Sequence, residues 1–427
     1  MTSSWWFGAR VGATLLVVVL AGGCGADPDT TDGPERGVAG TSGTETSGAG
    51  TSGAGLVGAG SVGAGPASSG PAFGRPGVWT PLPPSPLPAR YEADGVWVAD
   101  RFVVFGGWSS SVCPPNASCI APVEPALRDG ASFDPRTGQW TRIADAPVPI
   151  TGLNTVVLDG RLYTLVNAGL GRPDSPVTFL SYDPARNAWT KHPLPPGAGA
   201  LVATDSALVQ IGDSDEREPA VDAAFDPKTN AWQRLPDDPL GPSFARSAVW
   251  VDHSLVLAAG DLVDNPGSKA PVLVRIARLD QNLKRWTTLP AGQILGNALV
   301  GVADRAVWAD DGSADGGGDW DRAYPNGGTF DPGTNTWHAL PWPAQETQAA
   351  CCSGVVVGGT VIVGKRLLDP VTGRWSAFPE YPGPRRTAAT LVGGPQSLLV
   401  WGGAVAKRPE WSAQENVASG YLWRPAG

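Results

Sequence analysis

The stretch Phe133-Asp-Pro-Arg-Thr-Gly-Gln-Trp140 decides the fold, because it returns along the chain with the same residue types at the same places. Asp accepts hydrogen bonds from the N–H groups that follow it and Pro fixes φ, so Asp-Pro favours the first corner of a type I turn. Each copy therefore predicts a β-hairpin, with an apolar residue before the turn and a Trp at the start of the next strand. The other copies are Tyr182-Asp-Pro-Ala-Arg-Asn-Ala-Trp189, Phe225-Asp-Pro-Lys-Thr-Asn-Ala-Trp232, Phe330-Asp-Pro-Gly-Thr-Asn-Thr-Trp337, Leu368-Asp-Pro-Val-Thr-Gly-Arg-Trp375 and the degenerate Leu279-Asp-Gln-Asn-Leu-Lys-Arg-Trp286.

One position in each copy, two residues before the Trp, carries the conformation that closes the hairpin. It is Gly or Asn in the regular copies, and these are the residue types that best tolerate a positive φ. Lys284 breaks the rule in the degenerate copy. The predicted positive-φ positions are Gly138, Asn187, Asn230, Asn335 and Gly373.

The spacing of the repeated phrase predicts the architecture. From Trp140 onward the closing Trp residues are 49, 43, 54, 51 and 38 residues apart. A period near fifty with one hairpin per repeat is typical of β-propeller blades, whereas sandwich turns recur every ~8–12 residues without repeating one phrase. The sequence thus predicts an all-β fold of seven four-stranded blades. Their closing Trp residues are Trp79, Trp140, Trp189, Trp232, Trp286, Trp337 and Trp375.

The two ends of this repeat region complement each other. Val78-Trp79-Thr-Pro-Leu-Pro matches the start of a fourth strand, and Tyr421-Leu-Trp423 lacks a following turn and fourth strand. We expect the N-terminal strand to complete the last blade, which leaves no open sheet edge. With Phe105-Gly-Gly107 and Trp401-Gly-Gly403 after second strands, residues 77–427 resemble kelch-repeat and galactose-oxidase-like propellers. The resemblance implies the fold but not the function, because one fold hosts binders, adaptors and enzymes.

The first 76 residues predict export and a tether. Arg10 and the apolar stretch of residues 11–20 read as a signal peptide over residues 1–24. Leu20-Ala-Gly-Gly-Cys24 resembles a bacterial lipoprotein signal, which implies lipidation of Cys24; the alternative is an ordinary cleaved signal. Residues 25–76 are rich in Gly, Ala, Ser and Thr and predict a disordered linker. We therefore expect a lipoprotein facing the extracytoplasmic side, or a secreted protein if Cys24 is not lipidated.

Charge and topology favour recognition by the loops of the propeller. The net charge of −9, with no basic run, argues against nucleic acid and against binding an anionic membrane through the folded domain. Short turns gather on one face of a blade, and long, variable loops gather on the other, where binding residues usually lie. These loops carry Trp108, Trp320, Tyr324 and Trp411, which either bind a glycan or protein or fold back over their own loops.

Arginines supply the second group of candidate ligand-binding residues. Arg90 beside Tyr91, Arg246, and the pair Arg385-Arg386 stand where blades one, four and seven begin. Guanidinium groups suit carboxylate or phosphate, so these residues predict an arginine-lined channel mouth. The alternative is that they pair with acidic residues of the protein.

The cysteines predict one disulfide bond and leave one pair open. In an exported protein Cys113 and Cys119 are expected to bridge within their loop. Cys351-Cys352 are two small core residues, a strained vicinal disulfide near the channel, or partners of the first loop. No metal-binding or catalytic histidine set is visible. The one cofactor that the sequence suggests is calcium, on Asp310, Asp311, Asp315 and Asp319, where solvated charge is the alternative.

These observations favour a monomeric, envelope-exposed propeller that binds a protein or glycan partner through its long-loop face. The alternative is a carbohydrate-active or other small-molecule enzyme, sialidase- or epimerase-like, that uses the arginine-lined mouth. An enzyme needs an acid/base pair with shifted pKa values in the channel, and the sequence marks none. A third hypothesis is a scaffold within an envelope complex.

Overall fold

The computed structural model describes residues 77–112, 125–151, 154–167, 177–212, 217–260, 262, 273–292, 299–308, 327–340, 354–363, 365–406 and 414–425. Within these ranges all regular structure is β-strand, and every strand pairing is antiparallel. The all-β prediction is confirmed for this part of the chain.

The described chain contains 31 strands. In chain order they are β1 (Val78–Pro81), β2 (Asp94–Val98), β3 (Arg101–Phe105), β4 (Gly130–Asp134), β5 (Gln139–Ile143), β6 (Thr155–Leu158), β7 (Arg161–Asn167), β8 (Val177–Asp183), β9 (Ala188–His192), β10 (Gly199–Ala203), β11 (Leu208–Gly212), β12 (Ala223–Asp226), β13 (Ala231–Arg234), β14 (Phe244–Val251), β15 (Ser254–Gly260), β16 (Val274–Leu279), β17 (Trp286–Thr288), β18 (Leu299–Val302), β19 (Arg305–Trp308), β20 (Gly328–Asp331), β21 (Thr336–Ala339), β22 (Val356–Val357), β23 (Thr360–Val363), β24 (Arg366–Asp369), β25 (Arg374–Ala377), β26 (Arg386–Thr387), β27 (Thr390–Gly393), β28 (Leu398–Trp401), β29 (Ala404–Ala406), β30 (Gln414–Asn416) and β31 (Gly420–Arg424).

Most of these strands form four-stranded sheets. Six sheets are meanders of consecutive strands: sheet 1 (β2–β5), sheet 2 (β6–β9), sheet 3 (β10–β13), sheet 4 (β14–β17), sheet 5 (β18–β21) and sheet 6 (β22–β25). Sheet 7 has the order β27-β28-β31-β1, and β1 pairs along its whole length with β31, Val78 opposite Arg424 and Pro81 opposite Tyr421. A three-stranded sheet, here called the small sheet, has the order β26-β29-β30.

The repeated phrase forms the hairpin that its residues predict. In the regular copies the Asp side chain accepts a hydrogen bond from a backbone N–H group two residues ahead. In the first copy, Arg136 N donates to Asp134 Oδ1 over 2.9 Å. The predicted positive-φ positions all have that conformation, with φ of 70° at Gly138, 50° at Asn187, 54° at Asn230, 55° at Asn335 and 66° at Gly373. In the degenerate copy the positive φ falls on Leu283, at 57°, one residue before the expected position.

The closing Trp residues join neighbouring sheets. Four of these rings pack on the aromatic residue opposite them, as in Phe133–Trp140 with centroids 5.0 Å apart and Phe225–Trp232 at 5.2 Å. Six of the indole N–H groups also donate to a backbone carbonyl four residues beyond the closing Trp of the adjacent sheet. These bonds are Trp79 to Pro379 (3.2 Å), Trp140 to Pro83 (3.2 Å), Trp189 to Ala144 (2.8 Å), Trp232 to Pro193 (2.8 Å), Trp286 to Pro236 (2.9 Å) and Trp337 to Pro290 (3.4 Å).

The hydrophobic core lies between sheets. Buried side chains form clusters that each combine two neighbouring sheets, such as Val103 and Phe105 of sheet 1 with Leu162 and Leu180 of sheet 2. Comparable clusters join sheets 2 and 3, 3 and 4, 4 and 5, 5 and 6, 6 and 7, and 7 and 1. Burial of these apolar surfaces holds the four-stranded units together.

Candidate functional site

The sheets have a turn side and a loop side. On the turn side the first and second strands are joined by two residues in five sheets, as at Asp159–Gly160 and Asp252–His253, whose φ values are all positive, and by four residues in sheets 3 and 7. On the loop side lie the connections from second to third strands and from one sheet to the next, such as the long one between β3 and β4. The longer connections of the described chain therefore lie on the loop side.

The small sheet is such an addition, on the loop side of sheet 7. Its strand β26 precedes the first strand of that sheet, while β29 and β30 lie between β28 and β31. Asn416 Nδ2 donates to the carbonyls of Ser109 (3.2 Å) and Ser110 (2.7 Å), and Glu92 N donates to Ala388 O (2.9 Å). The small sheet thus joins the loop sides of sheets 7 and 1.

An aromatic cluster lies at this junction. Tyr91 and Trp108 form an antiparallel bridge and are 7% and 4% exposed, and they pack with Ala126, Val112 and Ala388. The sequence offered Trp108 either as a surface binding residue or as a residue that folds back, and its burial matches the second reading. Its indole Nε1 has no hydrogen-bond partner in the described structure.

Two of the candidate arginines are held by carboxylates of the protein. Arg90 is fully buried and donates from Nη1 and Nη2 to Asp129 over 2.7 and 3.0 Å. Burial alone would raise the pKa of Asp129, but the hydrogen bonds and charge of Arg90, with Arg142, outweigh it and lower the pKa. Arg246 of β14 donates to Asp222, the residue before β12 (3.1 Å), and to Asp238, between β13 and β14 (3.0 Å).

The ion pairs of Arg90 and Arg246 match the alternative that the arginines neutralise acidic residues of the fold. Around Asp222, burial raises the pKa of the carboxyl and is only partly opposed by Arg246. Such a group needs its cation, because an isolated buried carboxylate is strongly disfavoured. A ligand-binding role for Arg90 and Arg246 stays a prediction.

Arg386 differs from both. It is 3% exposed and donates to Gly402 O (2.7 Å), Ser419 O (2.8 Å) and Ser419 Oγ (3.0 Å), which are all neutral acceptors. Its Nε has no partner among the residues that the structure describes. Its neighbour Arg385 is exposed on the same loop side. The sequence named this pair as a ligand-binding candidate but did not distinguish it from the other arginines, and the binding role stays a prediction.

Two acidic groups at the start of β2 were not foreseen. Asp94 is 5% exposed, and it accepts from the Thr155 hydroxyl of sheet 2 and from Gly95 N (2.7 Å). Burial raises its pKa from 3.8 to about 7, although these two hydrogen bonds act in the opposite direction. Burial also raises the pKa of Glu92, which has a φ of 50°. The signal in the sequence is an acid placed directly before an apolar inner strand.

A groove of about 760 Å³ lies elsewhere, along β13 and the turn before β17. Phe225, Trp232 and Leu283 line it together with the exposed Lys284. Its lining contains none of the candidate arginines and no residue of the small sheet. We therefore do not place the candidate site there.

The remaining candidates lie outside the described residues, and the structure says nothing about them. They are Trp320, Tyr324, Trp411, Asp310, Asp311, Asp315, Asp319, Cys24, Cys113, Cys119, Cys351 and Cys352. In the described ranges no group of three or more His, Cys, Asp or Glu side chains could hold a metal ion. No helix in those ranges has the length and apolar character needed to cross a bilayer.

Comparison with known proteins supports the fold. No family model matches the chain. The chain is similar to Kelch-like protein terF of Aspergillus terreus (strain NIH 2624 / FGSC A1156), with 26% identity over 263 residues and 55% of each protein covered. The chain thus spans about half the length of this relative. Together, the similarity and the four-stranded antiparallel sheets fit the kelch-type β-propeller that the repeated phrase predicts.

Proposed function

We propose that this chain is a seven-bladed kelch-type propeller that binds a protein partner through its loop side at the cell envelope. The seven four-stranded sheets support the blade count. The core clusters support a closed ring, because they join each sheet to the next and then join sheet 7 to sheet 1. Pairing of β1 with β31 supports closure by the N-terminal strand, which removes an exposed sheet edge.

The small sheet is the observation that carries the binding role. A propeller blade needs four strands, and β26, β29 and β30 are not among them. They are nevertheless ordered by backbone pairing and by the bonds from Asn416 to the loop side of sheet 1. Structured additions on the loop side of a rigid scaffold are where recognition residues concentrate. The similarity to a kelch-like protein supports the propeller scaffold on which this role depends.

The envelope location rests on the sequence of residues 1–76. A signal of the lipoprotein type followed by a linker poor in bulky apolar residues would hold the propeller away from a membrane. The anchor would then leave the loop side free to meet a partner. A glycan partner belongs to the same proposal, but no described loop-side aromatic is exposed for stacking on a sugar.

Site-specific photocrosslinking tests the binding role in the cells that produce the chain. A photoreactive residue replaces Ser109 or Arg385 on the loop side, or Thr137 or Lys228 on the turn side as matched controls; all four positions are exposed. We expect one crosslinked protein from both loop-side positions and none from the turn side. Crosslinks from the turn side alone, or none from any position, would refute the proposal.

A further inference from the structure

Sheet 1 and sheet 7 hold an arginine in the same place. Arg90 and Arg386 each stand four residues before the first residue of an inner strand, β2 or β27. Each donates from Nη1 to the carbonyl of the first glycine of a Gly-Gly pair, Gly106 at 3.0 Å or Gly402 at 2.7 Å. The two arginines are structural counterparts within their sheets.

The partner of the arginine differs between the two sheets. In sheet 1 the residue before the third strand is Asp129, whose carboxylate accepts from both Nη atoms of Arg90. In sheet 7 the residue before the equivalent strand, β31, is Ser419. The backbone is the same at both places, since Asp129 O accepts from Gly106 N at 3.1 Å and Ser419 O accepts from Gly402 N at 3.0 Å. A neutral hydroxyl thus replaces the counter-charge.

Arg386 is left with an unused hydrogen-bonding edge. Both Nη1 protons are directed at carbonyls, and Ser419 Oγ takes one proton of Nη2. The second Nη2 proton and the Nε proton have no acceptor in the described ranges, whereas the Nε of Arg90 donates to Pro88 O at 3.1 Å. Both unpaired protons belong to a buried guanidinium, so its hydrogen-bonding capacity is not fully used within the described residues.

A buried guanidinium without a counter-charge is strongly disfavoured, so the arrangement calls for an anion. No described carboxylate forms an ion pair with Arg386, although the protein carries 40 Asp and Glu residues. Ser419, which stands in sheet 7 where Asp129 stands in sheet 1, is an exposed residue. Arg385 adds a second positive charge at the neighbouring position.

We propose that Arg386 and Ser419 form a binding site for the carboxylate of an external ligand. The group would bond to Nη2 of Arg386 and to the Ser419 hydroxyl, close to the place of the Asp129 carboxylate in sheet 1, and it would supply the charge that Asp129 supplies to Arg90. A carboxylate is preferred to a phosphate because the equivalent contact within this protein is made by a carboxylate. The site rests on the proposed function in one respect, that the loop side is the binding side.

Thermal unfolding of the purified full-length chain tests the site, with acetate as the probe. Sodium acetate is titrated against sodium chloride at constant ionic strength and pH. A ligand that binds only the folded state raises Tm, here by about 2 °C at a concentration well above Kd. We expect a saturable rise in acetate for the natural chain. Equal Tm values in acetate and chloride would overturn the proposal.

Two variants exchange the residues of the two sheets and serve as matched controls. In Ser419→Asp the protein itself supplies the carboxylate beside Arg386, so this variant should have a higher Tm and no acetate response. Asp129→Ser creates the unpaired arrangement around Arg90, so it should lower Tm and add an acetate response. A Ser419→Asp protein that still responds to acetate, or a natural chain that responds only to phosphate, would also overturn the carboxylate assignment.

Peptides distinguish a carboxylate that belongs to a protein partner from one that belongs to a free small acid. A short peptide with a free C-terminal carboxyl or a Glu side chain is compared with its amidated, Gln-containing counterpart. Tighter binding of the acidic peptide than of acetate, lost in Ser419→Asp, identifies a protein partner, whereas equal affinities identify a free small acid. If the chain crosslinks to a partner but acetate does not change its Tm, the proposed function is retained and the carboxylate site is refuted.

Discussion

Asp94 makes the stability of this protein depend on pH, and replacing it with Asn should remove that dependence. Burial raises the pKa of this carboxyl from 3.8 to about 7 in the folded protein. A shift of one unit corresponds to about 1.4 kcal/mol of free energy, so the folded state loses about 4 kcal/mol when the carboxyl ionises fully. No charged group is among the causes of this shift, so burial alone decides its sign.

The sign follows from the two pKa values. Between about pH 4 and pH 7 the unfolded chain has released the proton of Asp94 while the folded protein retains it, so the free energy of unfolding falls as pH rises. Below this window the contribution of Asp94 is fully favourable, and above it the contribution is lost. The carboxyls of Asp134 and Asp226, whose pKa values are lowered by backbone hydrogen bonds, act in the opposite direction at more acidic pH.

Asp94→Asn should therefore be more stable than the natural chain at pH 8 and not at pH 5. The amide cannot ionise, but its NH₂ group needs an acceptor in a buried place, which costs about 2 kcal/mol. The expected net gain at pH 8 is about 2 kcal/mol. Urea unfolding followed by Trp fluorescence measures it at pH 5, 6, 7 and 8, with Asp159→Asn in an exposed turn as the control. An unchanged difference between Asp94→Asn and the natural chain from pH 5 to pH 8 would refute the reasoning.

Three further predictions concern the fold. Arg246→Met should lower the free energy of unfolding by about 4 kcal/mol at pH 7, because it leaves two buried carboxylates unpaired, whereas Met at the exposed Arg234 should cost less than about 1 kcal/mol; urea unfolding compares them. Asn230→Ala should be about 1 kcal/mol less stable than Asn230→Gly, because both lose the amide and only Gly tolerates the φ of 54°; equal values would contradict this origin. Deletion of residues 77–83 should abolish the cooperative thermal transition by removing β1, while deletion of residues 25–76 should leave Tm unchanged; a cooperative transition without β1 would exclude closure by this strand.

The hairpins were predictable from the sequence because their determinants are local. Asp134 and Gly138 are separated by one turn, so their residue types alone specify the hydrogen bonds and the positive φ. Where the local signal is absent, the turn also differs. The turn that ends at Trp286 has no Pro after its Asp and has Lys284, instead of Gly or Asn, two residues before the Trp. Its positive φ falls on Leu283.

The site could not be predicted in the same way, because its determinants are distant along the chain. Arg90 and Asp129 are 39 residues apart across a loop of irregular length, so no spacing rule connects them. The sequence located Arg386, but only the register of β28 with β31 shows that Ser419 stands where an acid would neutralise it. The same holds for Asp94, since burial is a property of the assembled sheets. The repeated phrase specifies how each sheet folds, whereas the differences between equivalent positions in different sheets determine where a ligand can bind.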